Sequence, residues 1–345
     1  MGHLRRRRTV VKAARLAGGA EFDLIRRLTA DWGGGAERVE GVTVGPGDDA
    51  AVLEDGWVVS TDLAMEGVHF RRAWLSPDEI GGRAVAAALS DLAAMAAEPI
   101  AILLSMAGSA EDRACGLLEA VGVGARDAAR ACGASLIGGD LSRSPGPLVI
   151  DVVALGRAMS PVLRSGARVG DALYVTGRLG GSAAALEYFQ RGERPPEELR
   201  RRFARPEPRL REARLLASSD ELHALIDVSD GLAGDVRHLA AASGVGVEVD
   251  VDAVPVEGWV GPGGSSAARQ RALTGGEDYE LLFAAPRSIE KVFAVLTSAC
   301  ADVSVTRVGR VVEGDEVRFL DSNGSAIDPG SGWDHFDSAA RDVPI

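Results

Sequence analysis

The 345-residue chain almost lacks lysine: Lys12 and Lys291 are its only two, and neither follows a glycine. That excludes the nucleotide-binding loop ending in Gly-Lys-Ser/Thr, in which a lysine reaches back over the phosphates. Positive charge is also scarce overall, with 38 Lys and Arg against 50 Asp and Glu and a formal net charge of −12. A chain of that sign has little capacity to displace counterions from a polyanion, so no nucleic-acid partner is expected. The three cysteines, Cys115, Cys132 and Cys300, are widely spaced and form no C-x-x-C pair. Neither a disulfide framework nor a zinc site is indicated, and a reducing cytoplasm fits best. No uninterrupted apolar run reaches the ~18 residues of a membrane span, so no membrane partner is expected either.

What the chain does contain is enough apolar sequence for two cores, at 46% hydrophobic residues. The basic head "MGHLRRRRTVVKAARLAGGA" is expected to be a disordered extension over residues 1–19, because Lys12 and Arg15 interrupt any signal-like apolar core. "EFDLIRRLTA" has apolar residues at helical spacing, and two strands are expected near Ala50–Leu53 and Trp57–Thr61 with "EDG" as their turn. Ser76, Pro77, Asp78 and Glu79 form a helix start for residues 76–97. Strand-like "IAILLSMA", a helix over "EDRACGLLEAVGVGARDAARACG", and strands at "SLIGGD" and "LVIDVVALGRA" complete a first domain, 20–158.

The second domain, 159–337, starts with a strand, a glycine turn and a helix in "ALYVTGRLGGSAAALEYF". The proline- and charge-rich "RGERPPEELRRRFARPEPRL" is expected to be a surface loop, as is 255–267. Further strands are expected at "VGVEVDV", around Val303–Val312 and at Glu316–Leu320. The pattern is α/β, or α+β.

Acidic residues recur at the ends of apolar segments: Asp48 and Asp49, Asp62, Asp91, Asp140, Asp227 and Asp230, Glu277 and Asp278. Any one of them alone is an ordinary cap or turn residue. As a set within one cleft they would repel unless cations neutralised them, and oxygen-only ligands suit Mg²⁺. Metal-assisted phosphoryl transfer is the chemistry that most needs such a set. "GRLGGSAAAL" is either an anion-binding helix start or a tight structural turn. Arg143 and Arg164 are either phosphate contacts or solvated arginines. His69 is either structural or part of the site, and Trp333 in "GWDHF" either stacks on a flat substrate or anchors the tail.

The motifs "GPGDDAAVL", "STDLAMEGVHF", "ALSDLAAMAAEP", "GGDLSRS", "RSGARVGD", "IDVSDGLAGDVRHLA", "TGGEDYELLF" and "GWDHF" occur in the order and approximate spacing of the thiamine-monophosphate kinases. The resemblance spans roughly residues 20–337, and several motifs are shared with the aminoimidazole ribonucleotide synthetase and selenophosphate synthetase superfamily. It implies a two-domain aminoimidazole ribonucleotide synthetase-like fold, each domain a mixed sheet packed with helices, that dimerises through the sheets of its first domains. It implies transfer of the ATP γ-phosphoryl group to thiamine monophosphate, with several Mg²⁺ ions as cofactors. By motif, Asp49, Ser60, Thr61, Asp62, Asp91, Asp140, Asp227 and Asp230 would hold magnesium, with Asp62, Asp91 and Asp230 central and no side chain acting as general base. Gly139, Asp140, Arg164 and Ser229 would contact ATP, and His69, Glu277 and Trp333 the thiamine phosphate. Asp48 is left either to set the turn or to support its neighbour Asp49.

Two positions depart from the resemblance: Leu141 stands where threonine is usual and Trp333 where tyrosine is frequent. A phosphate nucleophile is already anionic, so catalysis by alignment and charge neutralisation suits an aspartate-rich inventory. The alternatives are another enzyme of the superfamily, such as aminoimidazole ribonucleotide synthetase, and a non-catalytic sensor of thiamine phosphates.

Overall fold

The computed structural model describes residues 17–29, 40–258, 264–300 and 303–336, so the arginines at 5–8 lie outside the described residues. A short helix α1 (Ala20–Leu28) precedes a first sheet built from β1 (Val42–Val44), β2 (Ala51–Leu53), β3 (Trp57–Met65), β4 (Glu98–Gly108), β5 (Ser135–Arg143) and β6 (Val149–Arg157). The strands lie in the order β1-β2-β3-β6-β4-β5, antiparallel except for the β4–β5 pair. That parallel pair needs a crossover, which α3 (Ala110–Ala114) and α4 (Leu117–Ala131) supply. The single helix expected over 111–133 is therefore two, because Gly116 adopts φ +79° between them.

The first sheet is covered on one side only. β6 alternates strictly, with Ile150, Val152 and Ala154 buried under helices while Asp151, Val153 and Leu155 face the other way. The opposite face carries exposed Leu63, Ile100 and Ile137, whereas exposed Leu141, level with Met106 and Ile150, lies on the helix side at the sheet edge.

Helix α2 (Pro77–Ala94) does the covering. Its entry has the expected chemistry: Pro77 opens it and the Ser76 N–H donates to Glu79 Oε2 at 3.0 Å. Apolar on nearly every side, it is the kind of helix that must be buried all round. One side packs on β3 and β6, another on α4, and a third on elements of the second unit. Close approach to α4 needs glycine, since a Cβ on Gly81 would sit 2.0 Å from the Val121 carbonyl oxygen.

The second unit is a seven-stranded sheet of β7 (Ala172–Thr176), β8 (Ala224–Asp227), β9 (Gly246–Asp250), β10 (Leu281–Ala285), β11 (Val305–Val312), β12 (Val317–Leu320) and β13 (Ala326–Ile327). The order is β13-β12-β9-β11-β7-β10-β8, with β9–β12 the parallel pair. Helices α5 (Gly181–Gln190), α6 (Glu197–Ala204), α7 (Leu210–Ala217), α8 (Leu232–Ser243), α9 (Gly264–Thr274) and α10 (Glu290–Ala299) cover both faces. β7 and β10 are accordingly buried along their whole length. Tyr174 and Phe283 face a core continuous with that of the first unit, while Leu173, Val175 and Leu282 face a second core beneath α8.

Two segments differ from what their sequence suggests. The stretch 191–210 is not a surface loop throughout, because it folds as α6. Leu199 and Phe203, four residues apart on one helix face, are buried, and Phe203 meets the rings of Trp74 and Phe189. The proline and arginine content masked that two-residue stripe. Likewise, the loop expected over 255–267 ends early, since α9 begins at Gly264.

A buried ion cage ties α7 to the second sheet. Glu280, fully buried, accepts from Arg209 Nε at 2.8 Å, Arg209 Nη2 at 2.6 Å and Thr176 Oγ1 at 2.7 Å. Arg202 Nη1 also reaches Oε1 at 3.4 Å, so losing Arg209 would leave the buried carboxylate with one longer charge contact, which is far costlier than never having built the cage. Arg209→Ala is expected to lower the unfolding free energy by about 3–5 kcal/mol in urea titration, whereas Arg201→Ala on an exposed pair should change it by about 0–1 kcal/mol.

Candidate active site

The acidic motifs converge where the two sheets face each other across α2. Asp48 and Asp49 sit in the turn entering β2, Ser60 and Asp62 on the helix-covered face of β3, and Asp91 in the last turn of α2. Asp227 ends β8, and Ser229 and Asp230 follow in the turn that leads to α8. Asp49, Asp91 and Asp227 each present a carboxylate oxygen within 4.8 Å of the others. A carboxylate at the C-terminal end of a helix opposes the helix dipole, so Asp91 weakens its own helix where it stands.

Neighbouring groups hold this cluster without neutralising it. Arg164 Nη2 donates to Asp49 Oδ1 at 2.7 Å, while Asp49 Oδ2 is buried with no hydrogen-bond partner. Asp48 Oδ1 accepts the backbone N–H of Asp49 at 3.2 Å and of Arg164 at 3.1 Å, so it braces both. Ser60 Oγ donates to Asp91, and Ser90 Oγ donates to Asp227 Oδ2 at 2.5 Å.

Burial, reinforced by like charges, drives the carboxyl groups toward their neutral forms. Asp62 is pushed up to about 6 by burial and then Glu277, and Asp227 to about 7 by burial and then Asp49. Asp230 also rises to about 7, from burial and then Glu21, and Asp91 goes well above the usual range, from burial and then Asp227. Clustered, oxygen-only and partly unpartnered, these side chains fit a hard divalent cation such as Mg²⁺.

Beside the cluster opens a cleft of about 390 Å³ whose lining includes Asp62, His69, Asp91, Asp227, Asp230, Glu277 and Trp333. His69 Nδ1 accepts the Met65 N–H at 3.0 Å, and burial lowers its pKa, so the ring is neutral with its proton on Nε2. The Trp333 N–H donates to the Asp230 carbonyl at 2.9 Å, and Asp334 Oδ2 accepts the Ala20 N–H at 2.7 Å, so the tail is pinned to the "SDG" turn and to the start of α1. Backbone contact makes this possible: a Cβ on Gly332 would lie 2.6 Å from the Asp230 carbonyl oxygen, and one on Gly276 2.4 Å from that of Ser229. Glu277 itself is held at φ +64°, a strained position for a residue other than glycine.

Not every candidate joins the cluster. Thr61 lies on the open face of β3, donating to Asp151 Oδ1 at 2.7 Å, because successive strand residues point to opposite sides. Gly139 and Asp140 lie on the edge strand β5, about 14 Å from β3 across three strand spacings. They border a separate recess of about 1270 Å³ whose walls include Leu104, Met106, Leu118 and Arg143. The "GRLGGSAAAL" helix start serves an anion from within the chain: Gly180 N and Ser182 N donate to Asp278 at 2.6 and 3.3 Å. That resolves the open choice there in favour of a structural turn.

Sequence reasoning passed over Arg83 and Asp235. Arg83 is the lone cation within the apolar span of α2, which was the available signal, and it pairs with Glu277. Asp235 is buried in the first turn of α8 with Oδ2 unpartnered, and it resembles an ordinary helix-start acid until its burial is seen.

Two α/β units with a carboxylate cluster between them define the class. Residues 47–158 match the family model "AIR synthase related protein, N-terminal domain", and 168–322 match its C-terminal counterpart. Within that class, a thiamine-monophosphate kinase of Rhodopirellula baltica is 38% identical over 288 residues, 79% of this chain and 84% of the relative. The solved structure "AaThiL complexed with AMPPCP and TMP" is 31% identical with a TM-score of 0.78, covering 92% of this chain and 97% of that one. A thiamine-monophosphate kinase structure from Stenotrophomonas maltophilia K279a is 36% identical with a TM-score of 0.71, covering 89% and 98%. The chain belongs to the thiamine-monophosphate kinase family.

The raised carboxyl groups make a stability prediction. A carboxyl whose folded pKa exceeds its unfolded value contributes stability at low pH and loses it as pH rises through the folded value. With chelator present, the melting temperature is expected to fall between about pH 5 and pH 8, and Mg²⁺ should reverse the fall at the alkaline end. A metal-free melting temperature that is flat or rising over that window would contradict this electrostatic account.

Proposed function

We infer that this chain transfers the γ-phosphoryl group of ATP directly to thiamine monophosphate, producing thiamine diphosphate and ADP. The observation that carries the inference is the convergence of Asp49, Asp91 and Asp227 at one end of a cleft that also holds His69, Glu277 and Trp333. The acceptor is itself a phosphate, anionic near neutral pH, so no side chain has to remove a proton from it.

Asp49, Asp91 and Asp227, with Asp62, Asp230 and Ser60 beside them, are the residues that would hold Mg²⁺. When bound, the cation neutralises charge on the phosphate oxygens and aligns donor with acceptor. Arg164 offers a planar guanidinium beside the cluster for the nucleotide phosphates, and Ser229 lines the same cleft. His69 presents an Nε2–H donor without adding a charge. Trp333 offers a ring face for the thiamine heterocycles, and Glu277 offers an acceptor to their amino group.

The working form we propose is a cytoplasmic homodimer, with domains 20–158 and 159–337. Among the described residues no helix is long and apolar enough to cross a membrane, and the three cysteines are free. The uncovered face of the first sheet, with Leu63 and Ile100 exposed and Ile137 on the edge strand β5, is the natural pairing surface. Since Asp140 lies too far from the cluster within one copy, any part it and Gly139 play with ATP and metal falls to a recess completed by the second copy.

Purified protein with ATP, Mg²⁺ and thiamine monophosphate should form thiamine diphosphate, and Asp62→Asn should reduce turnover at least about 100-fold without loss of fold. Absence of product from the native chain would defeat the kinase assignment and favour a sensor of thiamine phosphates. For assembly, Leu63→Arg combined with Ile137→Arg is expected to halve the mass measured by light scattering, and an unchanged mass would place the interface elsewhere.

A further inference from the structure

The substrate end of the cleft is braced by a residue with no assigned role. Arg83 projects from the first half of α2 and is only 4% exposed, among glycine, alanine, valine and isoleucine, with Glu79 one turn before it already held by Arg200. A buried charge in such a place is expensive unless each donor finds a partner. Arg83 Nη1 donates to the Phe203 carbonyl, and its guanidinium carbon lies 4.1 Å from the centre of the Phe203 ring. Nη2 pairs with Glu277 Oε2 as a close charge contact rather than an aligned hydrogen bond.

The anchor is itself fixed. Phe203 belongs to α6, and α6 is latched to the start of α2 by Arg200, whose two Nη atoms grip Glu79 at 2.8 and 2.5 Å. Arg205 adds a contact to Asp78 at 2.9 Å. The backbone of Glu277 is held independently, its N–H donating to the Ser229 carbonyl at 2.7 Å. Two constraints thus meet on one side chain that lines the cleft: the Ser229 contact fixes where it starts, and Arg83 fixes where one of its oxygens ends.

We propose that Arg83 is a positioning residue for thiamine monophosphate: by holding Oε2 of Glu277 while braced on Phe203 of α6, it turns Oε1 toward the heterocyclic end of the substrate. This rests on the kinase assignment and adds to it a structural cause for substrate affinity. It also gives the arginine-rich segment 191–210 a purpose, as a buttress that carries no contact to the substrate itself. Losing Arg83 leaves Glu277 free to swing and removes a positive charge near Asp62, and so affects the thiamine side of the cleft, whereas Arg164, Asp49, Asp91 and Asp227 keep their own partners.

The test is steady-state kinetics of the full chain with each substrate varied in turn. Arg83→Gln is expected to raise KM for thiamine monophosphate roughly 10- to 100-fold, with KM for ATP changed by less than about threefold. If Arg83 acts through Glu277, then in a Glu277→Gln background Arg83→Gln should cost almost nothing more. Phe203→Leu, which keeps an apolar side chain of similar bulk, should give a smaller rise in the same KM and serves if Arg83→Gln does not fold. Equal rises in both KM values, or full additivity of Arg83→Gln with Glu277→Gln, would overturn the proposal while leaving the kinase assignment standing. A native enzyme that forms no thiamine diphosphate would remove the kinase assignment, and the proposal with it.

Discussion

Mutual repulsion among buried carboxylates is the constraint around which the molecule is arranged. Asp49, Asp91 and Asp227 have oxygens within 4.8 Å of one another, and Asp62 and Asp230 lie in the same cleft. Left alone, such groups hold protons well above the usual carboxylate range and weaken the fold as pH rises. The surrounding structure supplies Arg164, Ser60 and Ser90 as partners, enough to fix the geometry and too few to satisfy it. A phosphoryl-transfer site gains from this deficit, because a cation that fills it arrives where the phosphates must be held.

Helix α2 is how two sheets are brought to bear on one cluster. Its all-round apolar surface packs β3, β6 and α4 on one side and β8 and α7 on another, so Asp91 and Ser90 near its end lie between the strand of Asp62 and the strand of Asp227. The same helix carries Arg83 to the opposite end of the cleft, where α6 braces it. The acids proposed to hold metal and the proposed substrate pocket therefore share one rigid element, and displacing α2 would disturb both at once. Backbone strain reaches the loop that completes the site, at Glu277 and Tyr279, where close backbone packing enforces the conformation.

The legible parts were those written in local spacing. Ser76, Pro77 and Glu79 announce the start of α2, the "EDG" turn joins β2 to β3, and the alternation in "LVIDVVALGRA" marks a strand with one covered face. Less legible was α6, whose Leu199–Phe203 pair is too short a stripe to stand out among prolines and arginines. The break at Gly116 was hidden for a related reason, since an isolated glycine inside a helical pattern is usually tolerated.

The chain alone determined the chemistry available: oxygen ligands in place of thiolates, arginine in place of lysine, and motifs in an order that resembles one kinase family. It could not decide which acids share a cleft, because that depends on contacts between residues far apart in the chain. Only the folded arrangement separates Thr61 from its neighbours Ser60 and Asp62, sends Asp140 to a distant edge strand, and assigns the helix-start amides of "GRLGGSAAAL" to Asp278. Strand parity, sheet order and the reach of a side chain decide those matters, and all three are properties of packing rather than of spacing.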